Sequence, residues 1–177
     1  MKENKMVKYP LILGVIALVA GLLLALVYNV TAPIIEENKM KRENAIVIEM
    51  FGENVSITDI SDTLNSDEKN IGIYSSLKVK SGSKTYYVYK VTFADSFDGD
   101  ESSYVVAIDS SSKIYKLRFT STGDSYASKY ASESYQNKVE GKGSLTINSD
   151  KVSGATATGR SIVDSINATI AHKGRVD

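Results

Sequence analysis

A long uncharged segment near the start of the chain limits what the chain can fold into. Residues 9–35 contain no charged side chain, and the centre of this run, residues 11–30, is almost entirely apolar (LILGVIALVAGLLLALVYNV). A helix of this length rises about 30 Å, which matches the hydrocarbon core of a bilayer. The sequence therefore predicts a transmembrane helix. A buried core helix of a soluble protein is the alternative, and it is disfavoured by the length of the uncharged run.

The flanks of this segment predict its orientation. Three lysines precede it against a single acid (Lys2, Lys5 and Lys8), whereas the sequence that follows, EENKMKRE, carries both signs. Because an excess of lysine keeps a flank in the cytoplasm, the rest of the chain is expected outside the cell membrane. The run is longer than the apolar part of a cleaved signal peptide, and Pro33 follows the small residues where cleavage would fall. We therefore predict a cytoplasmic N-terminus and an uncleaved signal anchor over residues 1–32, with a cleaved signal peptide as the alternative.

The rest of the chain is long enough for one domain with its own core. We expect a stalk helix over residues 33–51, a polar linker with a short helix over 52–70, and a folded domain over 71–177. Runs of aromatic and β-branched residues predict strands joined by tight turns, and helical patterns follow them. This order is typical of an α+β domain with an antiparallel sheet and flanking helices. The strands are predicted at 73–79, 86–94, 104–109, 114–120 and 145–147, and the helices at 124–138 and 159–172.

Composition excludes several kinds of site. The chain has no cysteine, a single histidine, and 21 basic and 21 acidic residues. Thiolate metal sites, iron–sulfur clusters, cysteine nucleophiles and multi-histidine metal centres are therefore excluded, and zero net charge argues against nucleic acid as a partner. We interpret His172 as a cation at the end of a helix, and the acidic residues of segment 95–101 as a solvated turn rather than a calcium site.

One segment between the short strand and the last helix carries candidate chemistry. Residues 150–159 read DKVSGATATG, a turn of hydroxyl-bearing and small residues that opens a helix. Gly154 and Ala155 allow close approach to the backbone, and Thr156 and Thr158 supply hydroxyls. The free amides of a first helical turn favour an anion such as phosphate. The alternative is an ordinary helix start in which a serine or threonine is the N-cap.

The pattern Asp-x-x-Ser-Gly-Ala-Thr, at Asp150, Ser153, Gly154, Ala155 and Thr156, resembles the flavinylation motif of the covalent FMN-binding domain. That family includes the G subunit of Rnf complexes and the C subunit of sodium-translocating NADH:quinone oxidoreductases. The resemblance implies that Thr156 carries FMN through a phosphoester bond, with the adjoining motif residues and Thr158 around it. It also implies that a flavin transferase of the ApbE type attaches the flavin from FAD, using a magnesium ion, and recognises Asp150.

Three further segments resemble the same family. Residues 27–39 resemble the end of the Rnf G-subunit anchor, residues 104–119 the family's hairpin, and residues 159–167 the helix after the flavin site. The family's Glu-Thr-Pro-Gly segment is replaced here by residues 120–124, TSTGD, which lack the glutamate and the proline. Thr122 and Gly123 remain, and the resemblance implies that they contact the flavin.

The sequence therefore predicts a membrane-anchored flavoprotein for electron transport. The resemblance implies the G-type subunit of an Rnf-like, ion-translocating complex (a translocase), with integral membrane subunits as partners. In this role the chain is an electron carrier and not an independent catalyst, and its phosphoester makes it a phosphoprotein. Two alternatives stay open: a stand-alone extracytoplasmic flavin carrier, and a flavin-free binding or sensory module.

Overall fold

The computed structural model describes residues 5–94 and 100–177, and within the first helix it describes the side chains of residues 9–32 and 45–51. Helix α1 is continuous over Lys5–Phe51. Its segment Tyr9–Ala32 has the length and composition of a membrane span, with a mean hydropathy of 2.9 and none of it buried. The predicted helix 33–51 thus continues the apolar helix without a break. Residues 1–41 and 42–177 form two separate compact units.

The second unit is built on an antiparallel sheet of five strands in sequential order. Each strand pairs with the next along the chain, from Val55 against Ser81 to Ser103 against Ser121. The predicted α+β class and meander are confirmed. The strands are β1 (Val55–Asp59), β2 (Ile73–Ser81), β3 (Lys84–Ala94), β4 (Glu101–Asp109) and β5 (Ile114–Ser121).

The first of these strands was not predicted. We expected residues 52–70 to be a linker with a short helix, and the helix is present as α2 (Ser66–Asn70) after a 3-10 turn at Ser61–Thr63. Strand β1 forms an edge of the sheet, and four of its five residues are exposed. A strand that buries so little lacks the apolar alternation by which strands are recognised.

The helices after the sheet are α3 (Ser125–Tyr130), α4 (Glu133–Val139), α5 (Ile147–Asp150) and α6 (Thr156–Val176). The predicted single helix 124–138 is wrong: it is broken before Ser132, whose side chain accepts a hydrogen bond from Tyr135 N and caps α4. The predicted strand 145–147 is also wrong. The amide side chain of Asn167 bonds both backbone groups of Leu145 at 2.8 and 2.9 Å, which takes the place of a strand partner. Helix α6 begins at Thr156, three residues before the predicted start.

Each face of the sheet is covered by a different part of this unit. The helices after β5 pack on one face, where Ile162 and Ile166 of α6 are fully buried with Tyr104 and Tyr130. The end of α1 packs on the other face through Val47 and Met50. Helix α6, with Thr156 at its first turn, is therefore held by the main core.

His172 does not act as a cation at a helix end. Its side chain is 0 % exposed. Its Nδ1 lies 2.9 Å from the Tyr89 hydroxyl and its Nε2 lies 3.0 Å from Thr63 Oγ1. Burial lowers the pKa of His172, so the ring is a neutral hydrogen-bonding group of the core. Most of the predicted acidic turn, residues 95–99, lies outside the described residues.

Candidate functional site

The Ser-Gly-Ala-Thr segment forms a tight turn that leads into α6. Ala155 N donates to Val152 O at 3.1 Å, which closes the turn around Ser153 and Gly154. Gly154 has φ +78°, a left-handed conformation that glycine adopts without a Cβ clash. The glycine of the motif is thus required by the backbone, and it places Thr156 at the first position of the helix.

A buried tyrosine from α3 holds this turn at both ends. The Tyr130 hydroxyl accepts a hydrogen bond from Val152 N at 2.9 Å and donates one to Ala155 O at 2.8 Å. A Cβ on Gly159 would lie only 2.0 Å from that hydroxyl, so the glycine makes room for it. Burial raises the pKa of Tyr130, which keeps its hydroxyl protonated. Tyr130 therefore fixes the position of the motif against the sheet domain.

The two candidate threonines differ in their surroundings. Thr156 is exposed on the first turn of α6, whereas Thr158 is 3 % exposed and engaged in the interior. A modifying enzyme can reach the hydroxyl of Thr156 without unfolding the helix. The exposure of the two side chains thus favours Thr156 over Thr158 as the candidate for modification, independently of the motif.

The first turn of α6 has no side-chain cap. Ala155 occupies the N-cap position without a side-chain cap hydrogen bond, and no acidic residue lies in the first turn of this described helix. The capped helix start that we considered as the alternative is therefore not what this segment forms. Uncapped amides and the positive end of a 21-residue helix favour an anion, such as a phosphate group attached at Thr156.

Basic side chains lie beside this helix start. Thr156, Arg160, Ser161 and Asp164 line an open pocket of about 530 Å³. Lys129 Nζ is 3.8 Å from the position that a Cβ on Gly154 would take. A phosphoester on Thr156 would thus have the Arg160 guanidinium in the same pocket and an ammonium group near the motif turn, and these residues fit an FMN phosphate.

Asp150 is part of the interior of the site. Its side chain is 2 % exposed, forms an ion pair with Lys142, and accepts a hydrogen bond from Thr146 N at 2.8 Å. Burial alone would raise the pKa of Asp150, but these bonds and one from Ser149 outweigh it, and the pKa is lowered. The carboxylate therefore shapes the short helix α5 that precedes the motif turn.

Thr122 and Gly123 lie just before α3, the helix that carries Lys129 and Tyr130 to the motif. Gly123 N donates to Ser102 Oγ at 2.9 Å, and a Cβ on Gly123 would lie 2.8 Å from Asp100 Cβ. Close packing against Asp100, just before β4, thus accounts for this glycine. Neither residue is among the described residues that line the pocket at Thr156, and their contact with a flavin stays a prediction.

Sequence reasoning located the motif but missed the residues that position it. Tyr130 lies within the predicted helix 124–138, and nothing in that segment marks it as a contact of the motif. The contact between Tyr130 and the motif spans 25 residues of sequence, and no local pattern predicts it. Arg160 was overlooked, although its place four residues after Thr156 puts it on the same helix face.

This arrangement, a small α+β domain with a helix start that favours an anion and an exposed threonine there, is suited to hold a phosphorylated cofactor. Comparison with protein families identifies which kind of cofactor domain the chain resembles. Residues 1–49 match the RnfG N-terminal region and residues 99–171 match the FMN-binding domain. Both matches agree with the FMN-binding, RnfG-like family that the sequence resembles. A search of the curated proteins finds no match.

The two family matches cover the features described above. The first contains the apolar helix and supports single-pass membrane anchoring and an Rnf-type membrane setting. The second runs from the start of β4 through most of α6 and contains the whole motif. Together they support a flavin electron carrier of the RnfG type.

Proposed function

We propose that the chain carries FMN covalently on Thr156 and transfers electrons outside the membrane as the G-type subunit of an Rnf-like complex. One observation carries the proposal: within the segment that matches the FMN-binding domain, Thr156 is exposed at the uncapped start of α6. Arg160, in the same pocket, and Lys129, near Gly154 of the motif turn, add positive charge to the site.

The attachment is a transfer of the FMN phosphoryl group. Thr156 Oγ attacks the FMN phosphorus of FAD, an Oγ–P bond forms, the pyrophosphate P–O bond breaks, and AMP leaves with the electron pair. The hydroxyl proton passes to a base. A threonine hydroxyl is a weak nucleophile without such a base, and the chain's only histidine, His172, is buried away in the core. A flavin transferase of the ApbE type, with its magnesium ion, must therefore supply the activation.

The residues of this chain then hold the group in place. Bound FMN supplies one- and two-electron transfer, which lets it connect partners of both kinds. The first amides of α6 and the Arg160 guanidinium bind the phosphate, and Tyr130 keeps the motif turn fixed. Asp150 serves the transferase through the shape of α5, since its carboxylate is itself buried. The apolar helix keeps the domain beside integral membrane partners and raises their effective concentration.

The test is the intact mass of the full chain in detergent after co-expression with an active flavin transferase. We expect one adduct with the mass of FMN less one water. The adduct should persist in Thr158→Ala and in Thr156→Ser, because both variants keep a hydroxyl at position 156. It should be lost in Thr156→Ala. A wild-type chain that stays at its unmodified mass would refute the covalent flavin and favour a flavin-free binding or sensory module.

Complex membership needs a separate test. A chain purified gently from its native membrane should carry integral membrane subunits with it if it belongs to an Rnf-like complex. Recovery of a flavinylated chain alone, under conditions that keep other membrane complexes intact, would instead favour the stand-alone carrier.

A further inference from the structure

The sheet has two edges, and the chain covers them differently. At the β5 edge, Gly141 N donates to Ile114 O at 2.7 Å, and Ile114 N donates to Lys142 O at 2.8 Å. At the opposite edge, β1 pairs with β2 alone, and residues 56–59 are all exposed. The chain thus closes part of the β5 edge itself, whereas the β1 edge is open in the part of the chain that the structure describes.

The backbone of β1 presents hydrogen-bonding groups to this open edge. Ile60 N donates to Ser76 O at 2.9 Å, which continues the register between β1 and β2. Successive residues of an antiparallel strand alternately face their partner strand and face away from it. Every second residue before Ile60 therefore bonds β2, and the N–H and C=O groups of Val55, Ile57 and Asp59 point outward.

β1 lacks the features that usually protect an edge strand, which are a proline, a lysine or a bulge. Its five residues read VSITD, an ordinary strand length, and its register against β2 is regular. Its single charged residue, Asp59, is the last of the strand, and Ile57 in the middle is 48 % exposed. An extended segment of another chain can therefore pair with this edge.

The two faces of this edge differ in chemistry, which indicates what kind of segment fits it. Ile57 lies opposite Val79, which belongs to the core cluster under the end of α1. On the other face, β2 carries Lys78 and Lys80 opposite the two hydroxyl residues of β1. An added strand would lie about 10 Å from β2, and a long lysine side chain can reach across short hydroxyl side chains. A segment with acidic residues on this face and apolar residues on the other would be complementary.

The charge of the two lysines is available to such a segment. Lys80 is exposed. Lys78 helps to lower the pKa of Asp177, but that carboxylate is already bonded by Lys173 at 2.7 Å. A second copy of this chain fits the edge less well. Two β1 strands paired about Ile57 would bring the lysines of both copies to the same face, where they repel.

We propose that β1 pairs with an extended segment of a partner protein in which acidic residues alternate with apolar ones. Backbone hydrogen bonds at the outward-facing residues provide the affinity, and the lysines on one face and Ile57 on the other provide the selectivity. This interaction goes beyond the proposed function, because it requires no flavin and β1 lies outside both family matches.

Fluorescence anisotropy tests the proposal with the full chain in a neutral detergent and two labelled peptides, EVEVEVE and KVKVKVK. The peptides have the same length and the same apolar positions, and they differ in charge. We expect the wild-type chain to bind the glutamate peptide and not the lysine peptide. Added salt should weaken this binding, because exposed charges contribute to it.

Variants of β1 and β2 test where the peptide binds. Ile57→Pro removes one outward N–H and leaves the ladder with β2 intact, since an edge strand tolerates proline where its N–H faces solvent. It should weaken binding at least about fivefold, whereas Ile57→Val keeps the N–H and should bind as the wild type does. Lys80→Glu should weaken binding about threefold or more. Lys113→Glu, at an exposed position in the β4–β5 turn, is the matched control and should have no effect.

Thermal unfolding checks that each variant is folded, and Lys80→Glu decides the matter if Ile57→Pro is not. Failure of the wild-type chain to bind the glutamate peptide, or equal affinity for both peptides, would overturn the proposal. Unchanged binding in both Ile57→Pro and Lys80→Glu would place the peptide elsewhere and overturn it too. A wild-type dimer that Ile57→Pro dissociates, without peptide binding, would assign the edge to a second copy instead.

Discussion

At the scale of single residues, two neighbouring tyrosines differ in what their hydroxyls do. The rings of Tyr130 and Tyr135 lie edge to face, with centroids 4.7 Å apart, and both side chains are buried. The Tyr130 hydroxyl bonds both ends of the motif turn. The Tyr135 hydroxyl is buried with no hydrogen-bond partner among the described residues. The same substitution at the two positions therefore separates hydrogen bonding from packing.

Tyr130→Phe should lower the free energy of unfolding by about 1–3 kcal/mol, because a buried amide and a buried carbonyl lose their partner. It should also slow flavin attachment, since the turn before Thr156 is no longer fixed. Tyr135→Phe should be neutral or stabilising. Urea unfolding and a time course of adduct formation by mass measure both effects. Equal losses in the two variants would show that the hydroxyl bridge contributes nothing.

The buried histidine predicts how stability depends on pH. Burial lowers the pKa of His172 in the folded chain, against the attraction of Glu68 and with the repulsion of Arg175. The unfolded chain, with an ordinary pKa near 6.5, therefore takes up a proton more readily as the pH falls. The free energy of unfolding should decrease below about pH 7, with a slope of at most about 1.4 kcal/mol per pH unit.

Urea unfolding between pH 7.5 and pH 5 measures this slope, and His172→Gln is the control because the chain has no other histidine. The variant should lose the slope in this window. The carboxylates with a lowered pKa, including Glu68 and Asp150, lose their contribution only at lower pH, near and below their usual values. A slope that survives His172→Gln would assign it to another group.

At the scale of elements, α6 contains two glycines in different surroundings. A Cβ on Gly159 would collide with the Tyr130 hydroxyl, whereas a Cβ on Gly174 meets nothing within 4 Å. Gly174→Ala should stabilise the chain by roughly 0.5–1 kcal/mol through helix propensity. Gly159→Ala should destabilise it despite the same gain, because Tyr130 must leave the turn. Thermal unfolding of the two variants measures these opposite effects. Stabilisation by both would contradict the close contact between position 159 and the Tyr130 hydroxyl.

Packing of the end of α1 on the sheet should contribute to the stability of the domain. Met50 is 5 % exposed against Leu77 and Val88 of the sheet, while Ile48 is 45 % exposed. Met50→Ala should lower the free energy of unfolding by about 2–5 kcal/mol, the range for a large core residue. Ile48→Ala should change it by less than about 0.5 kcal/mol. Urea unfolding of both variants measures the difference; a small loss at Met50 would show that the sheet folds without this helix.

Sequence patterns predicted the elements whose apolar residues are buried in the core. The central strands β3 and β4 are almost fully buried and read as runs of aromatic and β-branched residues. The last helix keeps Ile162 and Ile166 on one face. The wrong predictions fall where tertiary contacts override local preference. Asn167 holds Leu145 out of any strand, and the exposed edge strand β1 buries too little to leave a pattern.

The candidate site also has one part that the sequence predicts and one part that it does not. Its motif was recognisable because it is a fixed local order, Ser153 to Thr156, in which Gly154 supplies the left-handed turn. The residues that position the motif were not recognisable. Tyr130 reaches the motif turn through the fold, and its separation from that turn along the chain hides the contact.

At the scale of the whole molecule, the chain joins an apolar helix with the length and composition of a membrane span to a folded domain. Large apolar side chains of the first unit are widely exposed, with Leu24 at 71 % and Leu13 at 69 %. Exposure of this extent over a continuous helix favours a membrane surrounding. The side of the membrane on which the flavin domain lies then decides which partners and which transferase it meets.

The orientation can be measured because the chain has no cysteine. Ser83→Cys introduces a thiol in the exposed β2–β3 turn, and Asn4→Cys introduces one in the N-terminal flank without removing a lysine. If the lysine excess holds that flank in the cytoplasm, a membrane-impermeant maleimide should label Ser83→Cys in intact cells. Asn4→Cys should react only after the membrane is permeabilised, and the unlabelled wild-type chain is the control. The reverse pattern would place the flavin domain in the cytoplasm, where flavin attachment and electron transfer would need different partners.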